Sequence, residues 1–237
     1  MAASVNFRNL LLALILGFLI LATHVKSYPN PRTTDVEERD DNRTAPPVPE
    51  TGSLKALAKR VDLVGTWNSL RDPQKALIRQ IKAWDLQAGQ PANYGASYCY
   101  GCVIVVIASR GRLVIAHLAE VTVDKYNFQD DTAFLVNIEE PLEGALDENK
   151  QRLGNTPSVL VFGPTPVQGG DLSYRGKINQ LVGVVRGVFP QASVALYAYV
   201  KKTAFSESNQ NVEGKVTVIW SGSGLSVYAE TTLQIQL

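Results

Sequence analysis

Cysteine and histidine are scarce in this chain, and neither sign of charge is in excess. Its 237 residues include two cysteines and two histidines, which is too few for a scaffold held together by several disulfides. The 23 basic and 22 acidic residues leave a formal net charge of +1. The composition therefore gives no electrostatic reason to expect a nucleic-acid or anionic-membrane partner. Apolar residues make up 45% of the chain, enough for an ordinary globular core.

Residues 1–27 have the pattern of a secretory signal peptide. Arg8 precedes an apolar stretch from Leu10 to Ala22, and small residues follow before Tyr28. The apolar stretch is short for a membrane span of about 20 residues. We therefore expect cleavage and secretion to the extracellular space, with a retained signal anchor as the alternative.

Residues 28–60 are predicted to be a disordered, acidic and proline-rich pro-segment. Asn42 begins the sequence Asn-Arg-Thr, an N-glycosylation acceptor in a secreted protein. The segment ends at Lys59-Arg60, which is either a processing site of the secretory route or a pair of solvated helix charges. We expect a single α/β domain over residues 61–237.

The order of predicted elements in residues 61–237 indicates a mixed fold. A helix is predicted from Asp72, with Pro73 in its first turn. Two buried strands follow, CVIVVIAS and LVIAHLAEVTV, joined at RGR as an antiparallel hairpin. Later helices are PLEGALDENKQRLG and YRGKINQLVGVVRGVFP, and later strands are SVLVFGPTP, SVALYAYV, GKVTVIW and GLSVYAETTLQI. This order predicts an α/β fold (an α+β-like sandwich) with a mixed, largely antiparallel sheet flanked by helices.

The predicted hairpin brings the rare residues together. Cys99 and Cys102 precede its first strand, and His117 lies near the end of its second strand. With a turn at Arg110-Gly111, Cys102 is expected opposite Leu118, next to His117, and a bulge of one residue would bring the thiol and the imidazole into register.

A thiol beside an imidazole is a pattern typical of nucleophilic catalysis. An imidazolium lowers the thiol pKa from about 8.5 and supplies a thiolate, and the imidazole then protonates a leaving amine. Backbone N–H groups around Gly101 are suited to stabilise an oxyanion. A third group is expected to orient the ring, and the candidates are Ser97, Thr122 and Gln129.

The same hairpin resembles the core motif of the CheD and cytotoxic-necrotizing-factor type of glutamine deamidases. Gly101-Cys102-Val103 and Ala116-His117 match the Cys strand and the His strand of that motif, and the downstream order of strand, helix and strand is similar to that of CheD. The resemblance implies a deamidase-like sandwich in which Cys102 is the nucleophile and His117 is the base and acid. Ser97 is the nearest hydroxyl, at a different offset from the threonine of the family.

Three other interpretations of these residues stay open. Cys99 and Cys102 are each other's only possible disulfide partners in a secreted chain. Alternatively, both cysteines and His117 bind zinc, with Glu120 as a fourth ligand. In the simplest interpretation, Cys102 and His117 are buried core residues.

The sequence therefore predicts a secreted, effector-like or toxin-like Cys–His amidohydrolase that deamidates a glutamine side chain of a protein substrate. The alternative is a non-catalytic secreted interaction protein with a Cys99–Cys102 disulfide. No cofactor, no metal, no nucleic acid and no membrane partner after signal cleavage are expected, and the sequence predicts no oligomeric state.

Overall fold

Strands dominate the folded part of the chain. The computed structural model describes residues 61–97, 101–122, 125–167, 169–201 and 211–237. One continuous helical run consists of Asp131–Phe134, Leu135–Glu139 and Glu140–Leu153, and its middle segment is π-helical. In chain order the elements are α1 (Leu63–Ser69), a 3-10 turn (Asp72–Gln74), β1 (Lys75–Ala76), β2 (Ile81–Asp85), β3 (Ala92–Ala96), β4 (Val103–Ala108), β5 (Arg112–Leu118), β6 (Val121–Thr122), β7 (Lys125–Tyr126), α2 (Asp131–Phe134), the π-helical turn (Leu135–Glu139), α3 (Glu140–Leu153), β8 (Ser158–Thr165), α4 (Arg175–Val188), β9 (Ser193–Val200), β10 (Val216–Trp220), β11 (Leu225–Ala229) and β12 (Thr232–Gln236).

The strands form two five-stranded mixed sheets and one small hairpin. Sheet A has the order β1-β3-β10-β11-β12, sheet B has the order β2-β5-β4-β8-β9, and β6 pairs with β7. Pairing is antiparallel except for β1 with β3 and β8 with β9. The parallel pair β8–β9 is joined through α4, as a parallel connection requires a crossover.

Sheet B is covered on both faces. One face packs against sheet A, and the core between them includes Ile104 and Phe162 of sheet B and Val218 of sheet A. The other face packs against the helices and includes Val105 of β4 and Leu142 of α3. Because both faces are buried, β4 has no polar position, and all six of its residues are buried.

Helix α1 packs closely on sheet A at Gly95. A Cβ at that position would lie 2.6 Å from Cζ3 of Trp67 and 2.7 Å from the backbone oxygen of Val216. Glycine therefore permits the approach of the Trp67 ring, which is itself buried.

We predict that Gly95→Ala destabilises the domain by about 1–3 kcal/mol, because the added methyl group overpacks this contact. The free energy of unfolding in urea measures the effect. Gly144→Ala is the matched control: it lies in the interior of α3, where a Cβ meets nothing within 4 Å. We expect this control to stabilise the domain by about 0.5–1 kcal/mol through helix propensity. Equal effects of the two substitutions would contradict the close packing of α1.

The mixed α and β class, with mostly antiparallel pairing, agrees with the sequence-based prediction. The hairpin β4–β5, helices α3 and α4, and strands β8, β9 and β10 form where predicted, and Gly154 ends α3 with a φ of 74°. A second sheet was not predicted, and GLSVYAETTLQI forms two strands joined at Glu230 rather than one. No helix in the described part of the chain is both long and apolar enough to cross a membrane.

The predicted helix from Asp72 is wrong. Asp72 and Pro73 form only the 3-10 turn, and the following residues form β1 and β2. In β2, Ile81 and Ala83 pack on the helical side of sheet B, whereas Trp84 packs toward the core between the sheets. This alternation has the period of a strand, which pairing with β5 stabilises.

Candidate functional site

The hairpin β4–β5 places Cys102 and His117 on one face of sheet B. Its turn is Arg110-Gly111, and the N–H of Ser109 donates to the carbonyl oxygen of Arg112 over 2.9 Å. The pairing is offset by one residue from the predicted register, because Val103 lies opposite Leu118 and Ile104 opposite His117. Directly opposed residues share a face, so the His117 ring lies on the side of Ile104 and Cys102, which belong to the core between the sheets.

His117 is a core residue in this structure. Its side chain is 0% exposed, and Nδ1 lies 3.2 Å from the carbonyl oxygen of Ala76, to which it donates a hydrogen bond in the fitting tautomer. Nε2 has no hydrogen-bond partner in the described part of the chain. Burial lowers the pKa of His117 to about 4, and the hydrogen bond to Ala76 opposes this shift in part. The ring is therefore neutral at physiological pH.

Cys102 is buried, with only 6% of its surface exposed. Burial raises its pKa, while the backbone N–H groups of Glu120 and Gly101 and the Lys201 ammonium act in the opposite direction. Its carbonyl oxygen accepts a hydrogen bond of 2.8 Å from the hydroxyl of Tyr199. No hydrogen bond joins the thiol to the His117 ring, although both residues are described. The raised pKa of Cys102 disfavours the thiolate, and the lowered pKa of His117 disfavours the imidazolium.

A charged cluster covers the backbone beside Cys102. Lys201 Nζ contacts both carboxylate oxygens of Glu120, at 2.7 and 2.9 Å. The hydroxyl of Tyr174 donates to Oε1 of the same carboxylate, and the backbone of Tyr174 has a φ of 57°, in the left-handed region. A Cβ on Gly101 would overlap Oε2 of Glu120 and lie 3.0 Å from Lys201 Nζ. A side chain at position 101 would therefore displace the end of the Glu120 side chain.

The remaining predicted site residues are not brought to the His117 ring. Ser97 is buried and directly follows β3, which belongs to sheet A and not to the sheet of His117. No hydrogen bond connects Ser97 to His117 in the described structure. Cys99, Asn42, Lys59 and Arg60 lie outside the described residues, as do residues 1–60 as a whole. The Cys99–Cys102 disulfide, the glycosylation site and the processing site therefore stay predictions.

The zinc interpretation has no support from the described residues. Among them, no three His, Cys, Asp or Glu side chains are grouped so that they could hold a metal ion. Glu120, the expected fourth ligand, is instead engaged by Lys201 and Tyr174. Cys99, which that interpretation requires, lies outside the described residues.

A pocket of about 380 Å³ lies at the end of sheet B beside the π-helical turn. Polar groups reach it from three separate segments: Arg79 before β2, Asn127 after β7 and Asn137 of the π-helical turn. Its apolar walls include Ile81 and Ile138. We call this the Arg79 pocket. Its lining also includes His117, Leu118, Ala119, Val136 and Pro141.

Exposed apolar residues lie close in the chain to residues that line the Arg79 pocket, and one of them, Val136, lines it itself. Two of them immediately precede Arg79 in the chain, two belong to the β6–β7 hairpin, and two immediately precede Asn137. The hairpin contacts Arg79, because the carbonyl oxygen of Val121 accepts a hydrogen bond of 3.3 Å from Arg79 Nη2. We call these six residues the apolar rim: Leu77, Ile78, Val121, Tyr126, Leu135 and Val136. Large exposed apolar groups gathered at one place are typical of interaction sites.

Sequence reasoning missed this pocket. Its polar residues Arg79, Asn127 and Asn137 come from loops and from the π-helical turn, and polar residues in such positions ordinarily face solvent. One local signal was present: the pair Leu135-Val136 followed by Asn137 does not fit one face of an α-helix, and the π-helical turn exposes all three residues. π-helical turns are frequent at functional sites.

In comparisons with known proteins, no protein-family model matches the chain and no curated protein matches it significantly.

Proposed function

We propose that the folded domain is the binding module of a secreted protein and that the Arg79 pocket with its apolar rim is the binding site. The observation that carries this proposal is a pocket of about 380 Å³ that the exposed Val136 lines, with five further exposed apolar residues in the chain segments beside its lining residues. In this proposal Cys102 and His117 stabilise the core and take part in no chemistry.

The composition of the pocket supports binding. Ligand sites are usually concave and mostly apolar, with a few polar groups that orient the ligand, and they commonly enclose about 300–1,000 Å³. The Arg79 pocket combines the apolar residues Ile81 and Ile138 with the polar residues Arg79, Asn127 and Asn137. Burial of the apolar rim by a partner would contribute roughly 25 cal/mol for each Å² removed from water.

Binding of the neutral apolar dye Nile red to the native protein tests this function. We expect saturable binding with an increase in fluorescence, and we expect Val136→Asp to weaken it by at least about tenfold, because the substitution puts a charge at the pocket wall. Val167→Asp is the matched control, since Val167 is 60% exposed and Val136 is 53% exposed, and Val167 does not line the pocket. Equal binding by the two variants, or no saturable binding by the wild type, would refute the proposal.

A second candidate function is the Cys–His amidohydrolase acting on a protein glutamine side chain. It is favoured by the placement of Cys102 and His117 on the same face and at the same end of one hairpin. The N–H groups of Gly101 and Glu120, which act on the thiol pKa, would serve as oxyanion donors. Catalysis would require the thiol and the imidazole to become exposed and to meet. This candidate predicts that Cys102 is alkylated faster than Cys99 and that His117→Ala removes the difference.

A CheD-like or cytotoxic-necrotizing-factor-like fold belongs to the second candidate. This fold is supported by the chain order, in which the hairpin β4–β5 is followed by β8, α4 and β9, with all four strands in one sheet. Secretion after cleavage of residues 1–27 belongs to both candidates and rests on the sequence pattern alone. Mass spectrometry of secreted protein expressed from the full chain measures the position of the new N-terminus.

A further inference from the structure

Arg79 places a positive charge at the pocket, and no carboxylate of the described residues pairs with it. Its backbone has a φ of 67°, in the left-handed region, and its N–H donates to the carbonyl oxygen of His117 over 2.9 Å. The guanidinium contacts only the carbonyl oxygen of Val121 among the described residues, and none of their carboxylates lies within ion-pair distance of it. A non-glycine residue in this strained backbone region is a common feature of binding sites.

Asn137 provides an oriented amide at the same pocket. Its Nδ2 donates to Oδ1 of Asn127 over 3.1 Å, and Nδ2 of Asn127 donates to the carbonyl oxygen of Ala119 over 2.9 Å. Asn127 is buried, so this chain of hydrogen bonds fixes the orientation of the exposed Asn137 amide. The Asn137 amide oxygen accepts no hydrogen bond from the described residues, and it is therefore a suitable acceptor for an N–H group.

We propose that the Arg79 pocket binds the carboxyl-terminal residue of a peptide chain whose last side chain is apolar. The terminal carboxylate pairs with the Arg79 guanidinium, which has the planar geometry for a bidentate contact. The N–H of the same residue donates to the Asn137 amide oxygen, and its side chain packs against Ile81, Leu118 and Ile138. This inference rests on the proposed binding function and adds the chemical class of the partner.

The apolar rim favours a peptide over a small free acid. A volume of about 380 Å³ lies near the lower end of the range for small-ligand sites, so the pocket fits the end of a chain. A small acid in the pocket would leave the apolar rim in water. The residues that precede the terminus of a peptide would instead extend over Leu77, Ile78 and Tyr126 and bury their exposed apolar surface.

The test is fluorescence polarisation with the full-length protein and a labelled heptapeptide that ends in Val-Ile-Leu. We expect the peptide with a free carboxylate to bind at least about tenfold more tightly than the same peptide with a terminal amide, since charge-assisted bidentate pairs are strong. Arg79→Met should bring this ratio close to one. Arg186→Met is the matched control, because Arg186 is exposed on α4 and outside the pocket, and it should leave the ratio unchanged.

The outcomes separate this inference from the proposed function. If Nile red binds at the pocket but the acid and the amide bind equally, the peptide inference fails and the binding function stands. If N-acetylleucine competes as strongly as the heptapeptide, the ligand is a small acyl amino acid and the peptide inference also fails. If neither dye nor peptide binds, both proposals fail. Retention of Nile red binding by Arg79→Met, with loss of the carboxylate preference, supports both.

Discussion

The thiol of Cys102 in the reduced native protein is expected to react with iodoacetamide at pH 7.5 at least about tenfold more slowly than the same thiol in urea-unfolded protein. Two effects act together, because the side chain is 6% exposed and burial raises its pKa. Each unit of increase in the pKa reduces the thiolate fraction about tenfold. Mass spectrometry of the peptides that contain Cys102, taken over a time course, measures both rates.

The variant His117→Gln distinguishes the two candidate functions in the same experiment. If the imidazole activates the thiol, native Cys102 reacts rapidly and the substitution slows it. If His117 is a core residue, the slow native rate stays slow or increases as the packing loosens, because glutamine supplies no base. A rapid native rate that His117→Gln abolishes would overturn the non-catalytic interpretation and establish an activated nucleophile.

Elements with long, regular patterns were predictable from the sequence. Helix α4 shows apolar residues at helical spacing from Ile178 to Val188, and β4 is an apolar run next to a two-residue turn. The segment around Ile81 and Trp84 was ambiguous, because a spacing of three fits either a helix or the two faces of a strand covered on both sides. Pairing with β5 decides this case, and the partner strand is remote in sequence.

The packing around Cys102 and His117 could not be predicted from local sequence patterns. The hairpin register was predictable to within one residue, and it placed Cys102 and His117 at the same end of the hairpin. Whether that end faces solvent depends on sheet A, which is built largely from residues after 211. The carbonyl oxygen that contacts the His117 ring belongs to Ala76, 41 residues earlier in the chain. A motif of two residues carries no information about such distant packing.

The Arg79 pocket and the buried histidine have one structural cause. The turn before β2 holds Ala76 against the His117 ring and, three residues later, directs Arg79 to the pocket. The backbone of His117 is paired with the same turn through Gln80 and Arg79, with hydrogen bonds of 2.9 Å each. A turn that is hydrogen-bonded to a strand orients a binding side chain better than a free loop does.

The stability of the domain is expected to fall by about 3 kcal/mol as the pH decreases from 7 to 4 because of His117 alone. Its pKa is 6.5 when unfolded and about 4 in the native protein, so below pH 6.5 the unfolded chain binds a proton that the native protein binds only near pH 4. The contribution is fully present above pH 6.5 and is lost progressively down to pH 4, and the complete burial of the ring leaves little solvent screening to reduce it.

Urea unfolding at pH 4, 5, 6 and 7 measures this loss, and His117→Gln is the control because glutamine does not titrate. The free energy of unfolding of the wild type should decrease more steeply than that of the variant, by about 3 kcal/mol over the interval. Parallel curves for the two proteins would mean that the native pKa of His117 equals its unfolded value, and this result would remove the lowered pKa as an objection to a catalytic His117.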